Sequence, residues 1–225
     1  MAKRSALIAG MAAALREPER SINVLAIELG KAGLIRASGR GLNAAEMTVT
    51  DASNLLISAL SGGYATETAA TTALVRSAGL IGGKDRDGKT THKPPSAEAF
   101  AHLGLDHCFH EMLAAILGSF ERHGGIEVNE DTQLINNVSV AITRNAIRYF
   151  CKVSFDFSDG AAWWLTYVRW KPFMEAADRR DWQNLAEEAR DREGGKSTTE
   201  AVGRFVLHRI ADCIRGSPMN TRPEP

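Results

Sequence analysis

Residues 147–170, IRYFCKVSFDFSDGAAWWLTYVRW, decide the fold of this chain. In the first half of this stretch, large apolar residues alternate with polar ones, which is typical of a β-strand with one buried face. Ser-Asp-Gly at 158–160 is a strong turn signal, and the aromatic second half returns as another strand. The same alternation at 138–142 adds a strand upstream. The sequence therefore predicts a three-stranded antiparallel meander over 133–170.

Helical patterns occupy most of the remaining sequence. Apolar residues recur at helical spacing between capping or breaking residues such as Pro18, Thr48 and Gly79. These patterns predict helices over 4–16, 21–33, 48–61, 66–78, 97–123, 178–192 and 198–215. The last helix is expected to begin with a capping box at 197–200, and the last two to cover one face of the sheet. The predicted fold class is α+β.

The order of these elements predicts two domains. A helical unit spans 1–82, and a linker at 83–96, rich in glycine, charge and proline, holds no residue suited to a core. An α+β domain spans 97–216 and would pair subunits or sense a partner. The tail at 217–225 is expected to be loose.

Composition bounds the class of protein. The chain has 225 residues, 44% of them hydrophobic and 24% charged, with a formal net charge of zero, as is ordinary for a globular protein. No stretch approaches the roughly 18 apolar residues of a membrane span, and the N-terminus lacks a convincing signal-peptide cleavage site. Cys108, Cys151 and Cys213 are far apart and odd in number. These features favour a cytoplasmic protein with reduced, buried thiols and no membrane partner.

One phrase occurs twice in the sequence. Ala-Gly-Leu-Ile stands at 32–35 and again at 78–81, and each copy leads into a glycine-rich, mostly basic tip. A short basic tip on a rigid helix fits the phosphate backbone of a nucleic acid. Residues 1–93 carry 12 basic and 8 acidic side chains, which agrees with an anionic partner at this end of the chain.

The segment 21–61 resembles winged-helix transcription regulators, especially the multiple-antibiotic-resistance-regulator type. The resemblance rests on the Gly-Leu-Ile that ends a helix, the basic tip at 36–41, and Met47-Thr48 before the next helix. Residues 25–30 also resemble the first helix of an ordinary helix-turn-helix, and the two comparisons assign the same residues to different helices. Both imply a non-enzymatic DNA-binding protein of bacterial or phage type, either a transcription regulator or a packaging-type factor.

The resemblance implies double-stranded DNA as partner and a homodimer that contacts two half-sites. Basic residues would contact phosphates, and the polar residues would donate hydrogen bonds to the backbone or to base edges. The predicted DNA-binding residues of the two tips are Lys31, Arg36, Ser38, Arg40, Asn43, Arg76, Lys84, Arg86 and Lys89. Which of the two tips is functional stays open. The alternative is a structural or protein-interaction module with no nucleic-acid role.

Sharper motifs are discounted. Residues 83–90 match the string of a phosphate-binding P-loop, but a helix is predicted before them and Pro94 and Pro95 block a helix after them. Four histidines lie at 102, 107, 110 and 123, yet the last is too far along the same predicted helix to share a metal with the others. No catalytic residue, metal or cofactor is therefore predicted. The aromatic patch at 163–170 is either sheet core or a dimer or ligand surface.

Overall fold

A computed structural model of the chain describes residues 3–36, 45–62, 65–127, 135–145, 148–170 and 198–216. Within those residues it is an α+β protein with six α-helices and six strands. The helices are α1 (Arg4–Leu15), α2 (Glu19–Lys31), α3 (Val49–Ser61), α4 (Thr68–Arg76), α5 (Phe109–His123) and α6 (Arg204–Arg215). The strands are β1 (Gly79–Lys84), β2 (Thr90–Thr91), β3 (Ile135–Arg144), β4 (Arg148–Phe157), β5 (Ala162–Trp170) and β6 (Thr198–Val202).

All six strands form one antiparallel sheet in the order β2-β1-β5-β4-β3-β6. The strands predicted over 133–170 lie in its middle. The sheet is larger than the predicted three-stranded meander, because β1 and β2 extend it beyond β5 and β6 extends it beyond β3.

The segment predicted as a linker begins instead with a β-hairpin. Residues 79–84 pair with β5, and the chain turns back at residues 85–89 to form β2. Gly82 has a φ of +128°, and a Cβ atom at Gly83 would overlap the carbonyl oxygen of Trp164. The glycines that favoured a linker therefore permit the close approach of two strands.

Two predicted helices in the second half are corrected. The segment 198–202 is an edge strand rather than the start of a helix, and α6 begins only at Arg204. Its β-branched threonines suit an extended chain, and the Thr199 hydroxyl lies 2.8 Å from that of Thr143 on β3. The helix predicted over 97–123 is a short 3₁₀ turn and loops up to residue 108, followed by α5. The helix predicted over 178–192 and the tail at 217–225 lie outside the described residues.

The predictions for the first three helices are confirmed. The capping box at Thr48 is present, because the Asp51 amide donates to the Thr48 hydroxyl at 3.3 Å and the Thr48 amide donates to the Asp51 carboxylate at 2.8 Å. After α2, Gly33 adopts a φ of +70° and the Leu34 amide donates to the carbonyl of Leu29 at 2.9 Å. Local chemistry thus decides where these helices begin and end.

The helices share one hydrophobic core with the inward residues of the sheet. This core contains Leu7 of α1, Leu55 of α3, Leu117 of α5, Val153 of β4 and Ile210 of α6. The predicted N-terminal unit and the predicted C-terminal domain therefore both contribute to it. Among the described residues, no helix is long and apolar enough to cross a bilayer.

Candidate functional site

The strands β4 and β5 present two different surfaces, because successive side chains of a strand point to opposite faces. On the inner face, the register pairs Val153 with Leu165 and Phe155 with Trp163. The first three belong to the hydrophobic core, and Trp163 packs against it. The Trp163 indole nitrogen also donates to the carbonyl of Lys93 at 3.1 Å. The helices therefore cover this face.

The outer face is formed by the residues of β1, β4 and β5 that alternate with the inward-pointing ones. Its members are Lys84, Arg148, Phe150, Lys152, Ser154, Trp164, Thr166, Val168 and Trp170, which the register places side by side. Thr166 and Val168 are buried, although none of the nine residues belongs to the main hydrophobic cluster or packs on it. Lys84 and Lys152 are exposed, and the three aromatic side chains are half-buried. This face is thus chemically distinct from the core face of the same strands.

Cations stand over aromatic rings on the outer face. The Lys152 ammonium lies 5.0 Å from the ring centre of Trp164. The Arg148 guanidinium lies 5.2 Å from the ring centre of Trp170 and 5.9 Å from that of Phe150. Such contacts contribute about 0.5–1 kcal/mol each at exposed sites. The pattern couples positive charge with flat π surfaces over two adjacent strands.

The charge of the outer face is positive. Lys84 lies opposite Trp164 in the register. The face therefore carries three cations, Lys84, Arg148 and Lys152. Among the outward positions of the described strands, Asp156 is the one carboxylate, and it accepts a hydrogen bond from the side-chain amide of Asn137 at 3.0 Å. An anionic partner would therefore meet little repulsion here.

The first predicted basic tip is only partly described. Lys31 is exposed and pairs with Glu28 at 2.7 Å. Arg36 is held at the start of α3, because its amide donates to the Asp51 carboxylate at 2.9 Å and its guanidinium donates to the carbonyl of Glu46 at 3.3 Å. The predicted contacts Ser38, Arg40 and Asn43 lie outside the described residues. The guanidinium of Arg36 thus already has a protein partner.

The second predicted tip is the β1–β2 turn, and its charges are largely paired within the protein. Arg86 forms an ion pair with Asp159 in the β4–β5 turn, and Lys89 pairs with Asp87 at 3.2 Å. The Ala161 amide and then Arg86 hold the pKa of Asp159 below its usual value. Lys84 is the member of this tip that lies on the outer face.

The structure does not bring all the predicted residues together. Arg76 ends α4 and is half-buried beside His110, whose pKa is lowered by burial first and by the Arg76 charge second. Lys84 lies at the far end of β1, about 17 Å along the strand at roughly 3.3 Å per residue. Arg76 and Lys84, both predicted for the second tip, are therefore not gathered at one place.

The P-loop string at 83–90 forms the β1–β2 hairpin. The prediction that a helix directly precedes this string is wrong, because the residues before it form strand β1. The turn amides of Asp87 and Lys89 donate to the Asp85 carboxylate at 3.0 and 2.9 Å. In a phosphate-binding loop such amides point to the phosphate, so this turn is organised around its own carboxylate instead.

The histidines do not lie on a single helix. Because the chain turns at 101–108, His102 and His123 line one polar cavity of about 90 Å³ with Glu98 and Glu127. The prediction that His123 stays apart from the other histidines is therefore wrong for His102. The described residues contain no group of three or more His, Cys, Asp or Glu side chains arranged to hold a metal ion.

His107 belongs to the buried interior. Its Nδ1 lies 2.6 Å from the carbonyl oxygen of Gly104, and its Nε2 lies 2.8 Å from the hydroxyl of Tyr167. A carbonyl can only accept, so Nδ1 carries the proton, and Nε2 pairs with the Tyr167 hydroxyl. Burial raises the pKa of Tyr167, which keeps this hydroxyl protonated as a donor. This pair satisfies polar groups inside the fold.

Sequence reasoning missed Arg148 and Lys152 as site residues. The signal was present, since 148, 150 and 152 are alternate positions of one strand and must share a face. What the sequence did not show is the register of β4 against β5, which places Lys152 next to Trp164. The aromatic patch was recognised, and the structure divides it between the two faces.

Comparisons of the chain with known protein families, curated proteins and solved structures gave no match. Its function is therefore inferred from the chemistry of the outer face.

Proposed function

We propose that this protein is a non-enzymatic nucleic-acid-binding protein whose contact surface is the outer face of the sheet. The observation that carries the proposal is the set of cations, Arg148 and Lys152, held over the aromatic rings of that face. Nucleic acids present phosphates and flat bases in alternation, and basic grooves with aromatic side chains are the surfaces that bind them.

The electrostatic part of binding would come from three side chains. Lys84, Arg148 and Lys152 would each neutralise a phosphate and release a condensed counterion. Neutralising three phosphates corresponds to a slope of about −2 to −3 in a plot of log affinity against log salt. Binding should therefore weaken steeply as salt is added.

We also propose a more specific role, that of a transcription regulator or a packaging-type factor. In it, the winged-helix-like segment 21–61 contacts duplex DNA through Lys31 and Arg36, and the protein acts as a homodimer. The exposure of the Lys31 side chain, 67%, supports such a contact. The protein partners of Arg36 make it a weaker candidate than the lysines of the outer face.

The deciding experiment is a salt series with two matched double variants. Affinity for a labelled mixed-sequence DNA is measured for the wild-type protein, for Lys84→Ala/Lys152→Ala, and for Lys31→Ala/Arg36→Ala. Each double variant removes two positive charges, one pair from the outer face and the other from the first tip. The outer-face variant should bind more weakly, with a slope shallower by about 1.4–1.8.

Two results would contradict the proposal. If the first-tip variant alone becomes shallower, the DNA contact lies at 31–36 and not on the sheet. If the wild-type protein binds no DNA even at low salt, the alternative of a protein-interaction module gains support. Sedimentation of a Trp170→Ala variant would then test whether the outer face pairs two copies of this chain, since Phe150, Val168 and Trp170 are its apolar part.

A further inference from the structure

We infer that the outer face accepts a single strand of nucleic acid, with a base stacked on Trp164 where the Lys152 ammonium now lies. The inference rests on the proposed function and specifies the form of its ligand. Three features support it: the width of the sheet, the weak contact of Lys152 with the Trp164 ring, and the row of outward residues along β5.

The sheet is too wide to enter a groove of duplex DNA, so its aromatic rings cannot reach the bases of a duplex. Six strands about 4.8 Å apart make a surface roughly 24 Å wide, and the major groove of DNA is about 12 Å wide. The groove admits a helix or a two-stranded ribbon, not a broad sheet. A duplex could thus meet Lys84 and Lys152 through its phosphates, but it could not bring bases to the ring of Trp164.

A single strand offers both chemical groups to this surface. Its bases are free to stack on aromatic side chains, and its phosphates lie beside them. Stacking of one base contributes about 5- to 150-fold in affinity, whereas an exposed cation–aromatic contact is equivalent to about two- to fivefold. A base would therefore displace the Lys152 ammonium from the Trp164 ring, and the ammonium would be free to contact a neighbouring phosphate.

The outward residues of β5 provide a track for such a strand. From Trp164 to Trp170 the track is about 20 Å long at roughly 3.3 Å per residue. Thr166 and Val168 between them are buried, so the strand would contact the half-buried rings at the two ends of the track. That length corresponds to about six nucleotides at a stacked spacing of 3.4 Å. Lys152 and Arg148 lie beside the track on the neighbouring strand β4, two outward positions apart. Each end of it therefore combines a ring with a cation.

The test compares single and double strands. The probes are a labelled oligothymidylate of about 20 nucleotides, the same strand paired with oligoadenylate, and an oligouridylate of equal length that distinguishes RNA from DNA. The proteins are the full-length wild type, Trp164→Ala and Trp164→Phe. The matched control is Phe205→Ala on α6, because Phe205 is 64% exposed and also has a guanidinium, that of Arg209, 5.4 Å from its ring centre.

The expected result is tighter binding of single strands than of the duplex. Trp164→Ala should weaken binding of the single strand by about 5- to 150-fold and should weaken binding of the duplex far less. Trp164→Phe should retain most of the affinity, because phenylalanine keeps a stacking ring, and Phe205→Ala should bind as the wild type does. Intrinsic tryptophan fluorescence of the wild type should also be quenched by the single strand, which needs no variant.

Two outcomes separate this inference from the proposed function. If duplex and single strand bind equally well and neither Trp164 variant changes either affinity, the single-strand inference is overturned and nucleic-acid binding stands. If no probe binds at low salt, both are overturned. If Trp164→Ala fails to fold, equal affinity of duplex and single strand together with equal quenching by both would still overturn the inference.

Discussion

The two faces of β4 and β5 differ although the same ten or so residues of each strand build both. On the inner face, Tyr167 directs its hydroxyl to His107, a partner within the protein. On the outer face, the cation of Lys152 stands over Trp164, and both groups remain accessible enough to exchange partners. The polar groups of the inner face are thus satisfied within the fold, whereas those of the outer face lie where the proposed ligand could reach them.

The titratable groups follow the same division. Burial raises the pKa of Cys151 and of Tyr167 on the inner face, so both stay neutral across the physiological range. Burial also raises the pKa of Cys108 beside them. The inner face therefore carries no activated nucleophile among these groups, and the permanent charges of β4 lie on the outer face.

The largest expected effect comes from a core truncation. Phe155 is fully buried on the inner face, with its ring centre 5.5 Å from that of Phe100. Phe155→Ala should lower the free energy of unfolding by about 3–5 kcal/mol, because it removes apolar contacts and leaves a cavity. The outer-face neighbour Ser154→Ala should change it by less than about 0.5 kcal/mol. Urea unfolding of both variants checks this, and equal losses would abolish the distinction between the faces.

A polar change on the inner face should have the next largest effect. Tyr167→Phe removes the hydroxyl that donates to His107 and leaves the buried Nε2 atom without its partner. The expected loss of stability is about 1–3 kcal/mol. Thermal and urea unfolding measure it. A variant as stable as the wild type would show that the buried pair contributes nothing to the fold.

The pH dependence of stability tests the buried face in a different way. Burial first and the charge of Arg76 second lower the folded-state pKa of His110. As pH falls below about 6.5, the unfolded chain binds a proton at this site that the folded protein resists, so the free energy of unfolding decreases. His110→Gln removes this titration and should make the decrease between about pH 7.5 and 5 shallower. Identical pH profiles for variant and wild type would contradict the assignment.

The smallest expected effect on stability is at the outer face. Lys152→Ala removes an exposed side chain and its contact with Trp164, so the free energy of unfolding should change by no more than about 1 kcal/mol. Its affinity for nucleic acid should nevertheless fall, since one phosphate contact is lost. Urea unfolding and DNA binding, measured on this one variant, separate the contribution of Lys152 to stability from its proposed contribution to binding. A large loss of stability with unchanged binding would reverse the roles of the two faces.

The sequence predicts those elements whose signals are local. The alternation at 149–157 gives β4, and the Thr48–Asp51 capping box gives the start of α3, since both depend on residues near in sequence. The strands β1 and β6 were missed because their partners are distant. Gly83 pairs with Leu165, and Val202 pairs with Val140, so glycine and threonine signals that favour loops or caps are overridden by tertiary pairing.

The candidate site was predictable only in part. The basic tips were found because charge and glycine are visible in one stretch of sequence, and Lys84 among them lies on the outer face. Lys152 and Trp164 are twelve positions apart, and their contact depends on the register of two strands. No local pattern contains that register, so the site could be named only after the strands were paired.

Chemical labelling of lysines in the unmodified protein distinguishes a contact on the outer face from a contact at the first tip. Acetylation with and without bound nucleic acid, followed by mass spectrometry, reports Lys84 and Lys152 on the outer face and Lys31 on the first tip in one measurement. A bound single strand of nucleic acid should protect Lys84 and Lys152 and leave Lys31 labelled as before. Protection of Lys31, with Lys84 and Lys152 labelled to the same extent in both states, would contradict it.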